Sequence, residues 1–262
     1  MSDHTDHHAP EGLRTRGTVV VVPGRGETRT TYGRLAARLA ADAYRVRVVD
    51  APDLAATGAG APDGTDAALT RFGALLAEAV DGTAGSEGVT EPLVLLGADA
   101  GAAALAVHLG RTGTLPGGRR PDAVVLAGLP GRTAPGFGGW DEELDVRTSC
   151  PVHRGTLSDD TEVGRGSLGR ALPDALLAAA YDTQLGMPAL FLVGDADPLA
   201  DRDALVRTAE SLPRARLSVV RGARHDVLND VQHRSVAAEI VSFLETLRNE
   251  LVPPVAVATS AW

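Results

Sequence analysis

Residues 92–110 read PLVLLGADAGAAALAVHLG, a short apolar run that enters a Gly-x-Asp-x-Gly turn at 97–101 and leaves it as an Ala-rich stretch. The apolar run suits a strand buried on both faces, and the alanines suit a helix. Such a strand-turn-helix elbow holds its central residue, Asp99, at a strained backbone position above the strand end. Gly97 and Gly101 keep side chains out of the crowded turn. The new helix aims its first free N–H groups, that of Ala100 among them, at the same point, where the helix dipole also favours negative charge. The elbow is built to hold an anion.

Outward from the elbow the chain alternates. On the N-terminal side, Thr18 to Val22 is a β-branched run that breaks at Pro23-Gly24-Arg25-Gly26, and Tyr32, Leu35, Ala36, Leu39 and Ala40 then recur at helical spacing. Arg45 to Val49 reads as the next strand and 51–65 as a loop. Leu69, Phe72, Leu75, Leu76 and Ala79 mark a helix ending near Gly82. On the C-terminal side, Asp122–Ala127, Pro188–Val193 and Leu217–Val220 are strands, and Val236, Ile240, Phe243, Leu244 and Leu247 mark a closing amphipathic helix. Between 129 and 185 the rhythm is lost in favour of Gly, Arg and acidic residues, which reads as a cap or lid insertion. Arg132, Trp140, His153 and the acidic run Asp141 to Glu143 are expected on its surface. Residues 1–17 are polar and aperiodic and read as a flexible lead-in, 18–250 as one domain and 251–262 as a loose tail. The expected class is α/β, a mostly parallel sheet of about six strands with helices on both faces, whose ligands bind beyond the carboxyl ends of the strands.

Composition narrows the function. All 25 basic residues are arginine, so Schiff-base chemistry, a pyridoxal phosphate linkage and a P-loop lysine are excluded. A net charge of −9 argues against nucleic acid or an anionic membrane surface and points to a neutral or cationic small molecule. The single cysteine, Cys150, fits a reducing compartment. With no long apolar run and no secretory core at the start, a cytoplasmic protein is expected; its oligomeric state stays open. Gly24-x-Gly26 lacks the third glycine of a dinucleotide fingerprint, Arg29 standing there, and no cofactor is expected. His4, His7 and His8 lack a ligand framework and read as a solvated tail, so no metal is expected.

Three loops at the strand ends carry candidate chemistry. They are the elbow with Asp99, Gly194-Asp195-Ala196-Asp197-Pro198, and Gly222-Ala223-Arg224-His225-Asp226. Nucleophile, acid and histidine follow one another in that order. On these residues the chain resembles the α/β-hydrolase superfamily from about Thr18 to Leu247. By that resemblance Gly-x-x-Asp makes Asp197 rather than Asp195 the orienting carboxylate, and Gly-x-x-His makes His225 the base. Val21-Val22-Pro23-Gly24-Arg25-Gly26 corresponds to the oxyanion loop, so the amides of Arg25 and Ala100 would form the hole; Pro23 replaces the usual histidine. Asp99 stands where most members carry serine, as in haloalkane dehalogenases and epoxide hydrolases. Ala100 replaces the tryptophan those enzymes commonly have, and Tyr181 is the only tyrosine in or near the insertion.

A carboxylate is already ionised at pH 7 and needs no base to attack an electrophilic carbon. The resulting aspartyl ester would be hydrolysed by water that His225 deprotonates, with Asp197 orienting the imidazole. Attack on an ordinary ester would instead give a reactive anhydride, which argues against esterase chemistry through Asp99. Hydrolysis of a small molecule by an Asp-His-Asp triad is therefore the leading expectation. A degenerate binding or biosynthetic accessory protein, and an esterase-like or thioesterase-like enzyme using Asp99 as base, stay open beside it.

Overall fold

The computed structural model describes residues 4–52, 54, 62–132 and 136–259. Most of the loop expected at 51–65 lies outside them. In chain order the elements are β1 (His4–His7), β2 (Gly17–Val22), α1 (Gly33–Ala41), β3 (Tyr44–Val49), α2 (Pro62–Asp81), β4 (Leu93–Ala98), α3 (Asp99–Thr112), β5 (Ala123–Ala127), α4 (Trp140–Arg147), α5 (Pro151–Asp159), α6 (Asp174–Tyr181), β6 (Ala189–Gly194), α7 (Arg202–Ser211), β7 (Ala215–Val220) and α8 (His233–Arg248). The strands form one sheet of seven in the order β1-β3-β2-β4-β5-β6-β7, parallel except for β1.

Period-two alternation sorts the strand residues onto two cores. Val20, Val22, Leu95, Leu126 and Phe191 pack with α2, α3, α6 and α7, while Val19, Val21, Val94, Leu96, Val125 and Leu192 pack with α1 and α8. Because both faces are covered, the central strands are apolar throughout, which is why they were legible as short runs of Val, Leu and Ala.

Two expectations need correction. His4 and His7 do not lie in a flexible lead-in: they belong to β1, antiparallel to β3, which brings the strand count from six to seven. Asp6 supplies the reason, because its carboxylate holds Arg47 by two bonds of 2.6 Å and also reaches Arg45. Such an edge strand is polar and depends on pairing across the sheet, so it leaves no periodic signal of its own. The stretch 129–185 also divides. Leu172, Leu176, Leu177 and Ala180 place α6 and its approach in the same core as α3, whereas α4, α5 and a short 3-10 turn at Ser167–Gly169 sit against the elbow side.

At the elbow the physical prediction can be read directly. Asp99 has φ of +46°, a left-handed conformation that a residue with a side chain rarely adopts. A Cβ at Gly101 would lie 2.7 Å from both Pro23 O and Val22 O, so α3 starts in backbone contact with the end of β2. Backbone cannot yield as a side chain can, and Gly101→Ala is expected to cost about 2 kcal/mol of stability, read as a lower urea midpoint at unchanged slope.

Candidate active site

Three strand ends bring the site together. β4 delivers Asp99, the loop after β6 delivers Asp197 and the loop after β7 delivers His225, all three buried. His225 Nδ1 lies 2.9 Å from Asp197 Oδ2, and His225 Nε2 lies 3.2 Å from Asp99 Oδ1. Asp197 is fixed in turn by the Leu199 N–H, which donates to its other oxygen at 2.8 Å. Asp195 is exposed and accepts from Gly222 N–H instead, and Asp226 pairs with His153; the imidazole contact goes to Asp197.

The loop after β2 closes over Asp99. The Arg25 amide donates to Asp99 Oδ2 at 2.8 Å, while Ala100, expected beside it, gives this carboxylate no hydrogen bond. The Arg25 side chain adds a contact the sequence did not suggest: Nε donates to Oδ2 at 2.8 Å and Nη2 to Oδ1 at 2.7 Å. Its remaining nitrogen, Nη1, donates to the carbonyls of Leu168 at 3.0 Å and Arg170 at 2.6 Å.

These contacts set the charges. Burial pushes the Asp99 carboxyl up, but the charge and fork of Arg25, joined by His225, outweigh it and hold Asp99 well below the usual carboxylate range. Burial disfavours a charged His225, yet Asp197 and then Asp99 outweigh it and raise the imidazole to about 10. The resting site therefore holds imidazolium between two carboxylates. A histidine raised from 6.5 contributes stability that is complete below about pH 6.5 and lost as pH rises toward 10. Asp99, lowered from 3.8, contributes stability that is present above that value and lost as pH falls through its folded value. Urea midpoints should thus decline between pH 6.5 and 10 in the wild type and much less in His225→Gln.

A second polar cluster lies beside the triad. Arg147, on α4, donates to Glu143 at 2.9 Å and to the Arg25 carbonyl at 2.8 Å, and stands 3.6 Å from Asp226. Asp226 also pairs with His153 at 2.9 Å, and Glu27 accepts from the Gly24 N–H at 2.8 Å and from the Tyr32 hydroxyl. Burial, then the charge of Asp226, raises Glu27 to about 6. Glu143 and His153, expected on the surface, are each only 1% exposed. Glu143 is drawn inward because Gly166 and Leu168 N–H groups need an acceptor there. The four-residue spacing of Glu143 and Arg147 was the available signal for that pair. Glu27, His153 and Asp226 present donor atoms within 4.8 Å of one another, but the neighbouring Arg147 guanidinium already supplies positive charge at this cluster.

A cavity of about 150 Å³ lies on the Arg25 side of the elbow, with Arg25, Leu54, Ala100, Ser167, Arg170 and Leu172 in its wall. No triad residue lines it, nor the larger open depressions of about 520 Å³ near Tyr181 and about 640 Å³ near Arg14; the space lined by Asp99 and His225 themselves is only about 10 Å³.

A mostly parallel sheet with this elbow and a histidine after the last strand defines an α/β-fold hydrolase. The family model described as serine aminopeptidase, S33, matches residues 14–232, and the chain belongs to that family. Among solved structures, a monoacylglycerol lipase from Paleococcus ferrophilus is 18% identical, with TM-score 0.70 over 94% of this chain and 99% of that one. A soluble variant of monoglyceride lipase from Saccharomyces cerevisiae is 15% identical, with TM-score 0.69 over 93% and 91%. The enol-lactonase from Burkholderia xenovorans is 16% identical, with TM-score 0.65 over 93% and 96%. At such identities the likeness is one of fold. Comparison with curated proteins gives no match. Among the described residues no helix is long and apolar enough to cross a membrane.

Proposed function

We propose that the chain hydrolyses a small organic molecule in two steps through Asp99, with His225 as base of the second step and Asp197 holding the imidazole. The observation that carries this reading is the buried series of contacts from Asp197 to His225 to Asp99, with the Arg25 amide on the other Asp99 oxygen. In the first step Oδ1 attacks an electrophilic carbon, and the leaving group departs with the electron pair of the bond that breaks. Oδ2 becomes the ester carbonyl oxygen, already in place against the Arg25 amide.

Ester formation removes the charge of Asp99, one of the two carboxylates that keep His225 protonated. That makes the imidazole a readier base although Asp197 stays beside it; once it has released its proton to solvent it takes one from the water that attacks the aspartyl carbonyl. Electrostatics thus favours this order of steps, since esterification of Asp99 removes one of the two charges that hold the proton on His225. Residues 140–170 act as the lid, their carbonyls at Leu168 and Arg170 resting on Arg25.

The competing role, Asp99 as base for water, asks a carboxylate held far below its usual range to accept a proton near pH 7, where a general base works poorly. One turnover in heavy-oxygen water separates the two roles. Label should enter the Asp99 side chain, read by peptide mass spectrometry. Label confined to the product would overturn the covalent step in favour of water activation, and no turnover on chromogenic esters, epoxides or haloalkanes would leave a binding or accessory role.

A further inference from the structure

The Arg25 side chain is the part of the site that the two-step chemistry leaves unexplained. A carboxylate attacks best when its oxygens are free, yet the guanidinium edge takes both of them, at 2.8 and 2.7 Å. Paired charge-assisted bonds of this kind are among the strongest polar contacts, and they lower the nucleophilicity of the group they hold. Serving only as a brace, Arg25 would oppose the reaction. Its Nη1 is anchored separately on the Leu168 and Arg170 carbonyls, so the guanidinium stays under the lid when its other edge lets go. That edge fits any carboxylate as well as it fits Asp99.

The cavity of about 150 Å³ lies against the same side chain. Leu54, Ala171 and Leu172 make it apolar, and a space of this volume accepts a benzene-sized group. Arg170 also lines it, is exposed, and has no carboxylate partner among the described residues. Two guanidinium groups beside a small apolar pocket suit a molecule with one anionic end and a short apolar body. The net charge of −9 repels such a molecule only weakly at close range, because exposed charges beyond about 10 Å are screened by salt.

We propose that the substrate is a short carboxylate bearing its leaving group on the carbon next to the carboxylate, and that Arg25 exchanges Asp99 for the substrate's carboxylate on binding. The inference rests on the covalent reading of Asp99 and adds to it a substrate class and a specificity-determining residue. The exchange removes the two guanidinium bonds from Asp99 and leaves the Arg25 amide and His225 in place. A bond then forms between Oδ1 and the substituted carbon, the bond to the leaving group breaks, and that group leaves as an anion. Water attacks the aspartyl carbonyl carbon, which restores the Asp99 carboxylate and releases a 2-hydroxy acid. The sum consumes one water and releases one anion and one proton. An uncharged substrate has nothing with which to draw the fork away, so Arg25 acts against it as well as for the acid.

The test compares 2-bromobutanoate with uncharged 2-bromobutanamide by bromide release. Wild type should favour the acid by about a hundredfold or more. Arg25→Met should reverse that preference, falling on the acid while holding or gaining on the amide, and Arg25→Lys, which keeps charge without the fork, should lie between. A merely structural Arg25 would lower both substrates together, and that result overturns the inference. A reading independent of turnover is saturable thermal stabilisation by butanoate, expected in wild type and absent with butanamide or in Arg25→Met. If butanoate binds in this way but 2-bromobutanoate leaves no adduct on Asp99 in His225→Gln, the covalent reading falls and carboxylate recognition stands. If adducts form equally from acid and amide, the covalent reading stands and this inference falls. No stabilisation by butanoate and no preference for the acid also overturn it.

Discussion

In the His225→Gln protein turnover is expected to fall by about three orders of magnitude while an adduct accumulates on Asp99, because general-base assistance contributes roughly 10²–10⁴ and only the second step needs it. The first step keeps its parts: Arg25, a larger influence than His225, still favours an ionised Asp99, and the Arg25 amide still holds Oδ2. The expected record is a burst of leaving group equal to one per active site, followed by almost no steady state, with the mass of the substrate less its leaving group added to the Asp99 peptide. Asp197→Asn should show a weaker form of the same behaviour, since the imidazole keeps its place but loses the carboxylate at 2.9 Å that orients it and stabilises its charge. A loss of the burst together with the steady state in His225→Gln would mean that His225 is needed before the ester forms, contrary to the proposed order.

Arg147→Met is expected to be the most damaging single change for stability. The guanidinium is 1% exposed and meets Glu143 at 2.9 Å and Asp226 at 3.6 Å. Glu27 adds a third buried carboxylate whose charge Arg147 offsets. Removing one member of a buried ionic group leaves the others charged and unpaired, which costs about 3–5 kcal/mol. Because Arg147 also donates to the Arg25 carbonyl, the loss should propagate to the lid. Urea denaturation should show the drop in midpoint, and hydrogen exchange should rise most across 140–170. Glu143→Gln, which lowers the number of buried charges and keeps an acceptor for one of the Gly166 and Leu168 N–H groups, each of which uses a different Glu143 oxygen, should cost less. Equal losses in the two variants would show that packing of α4, and not its charge, holds the lid.

How much of this was legible in the chain depends on the range of the interaction concerned. The central strands could be placed from their own composition, because burial on both faces demands an unbroken apolar run such as Val19 to Val22 or Leu93 to Leu96. The elbow was legible for a related reason: a turn at positive φ with a helix start packed against the neighbouring strand tolerates only glycine at 97 and 101. The loops that carry the candidate acid and base could be placed by chain order, since each follows a recognisable strand, and the resemblance to the α/β-hydrolase superfamily then picked Asp197 over Asp195. The edge strand β1 was not legible, because its polar residues are set by Arg45 and Arg47 some forty positions away.

By itself, then, the sequence determined the α/β architecture and the presentation of Asp99 at the elbow, consequences of local periodicity and backbone sterics, while the candidacy of His225 and Asp197 came from the resemblance to the α/β-hydrolase superfamily. Only the tertiary structure decided that Arg25 grips both oxygens of Asp99, that Glu143, Arg147 and His153 are buried beside the triad, and that the Asp226 side chain is covered with them. A charged side chain is compatible with solvent or with a buried partner. Which one it has depends on what the fold brings within about 4 Å and on the charge that burial obliges it to share.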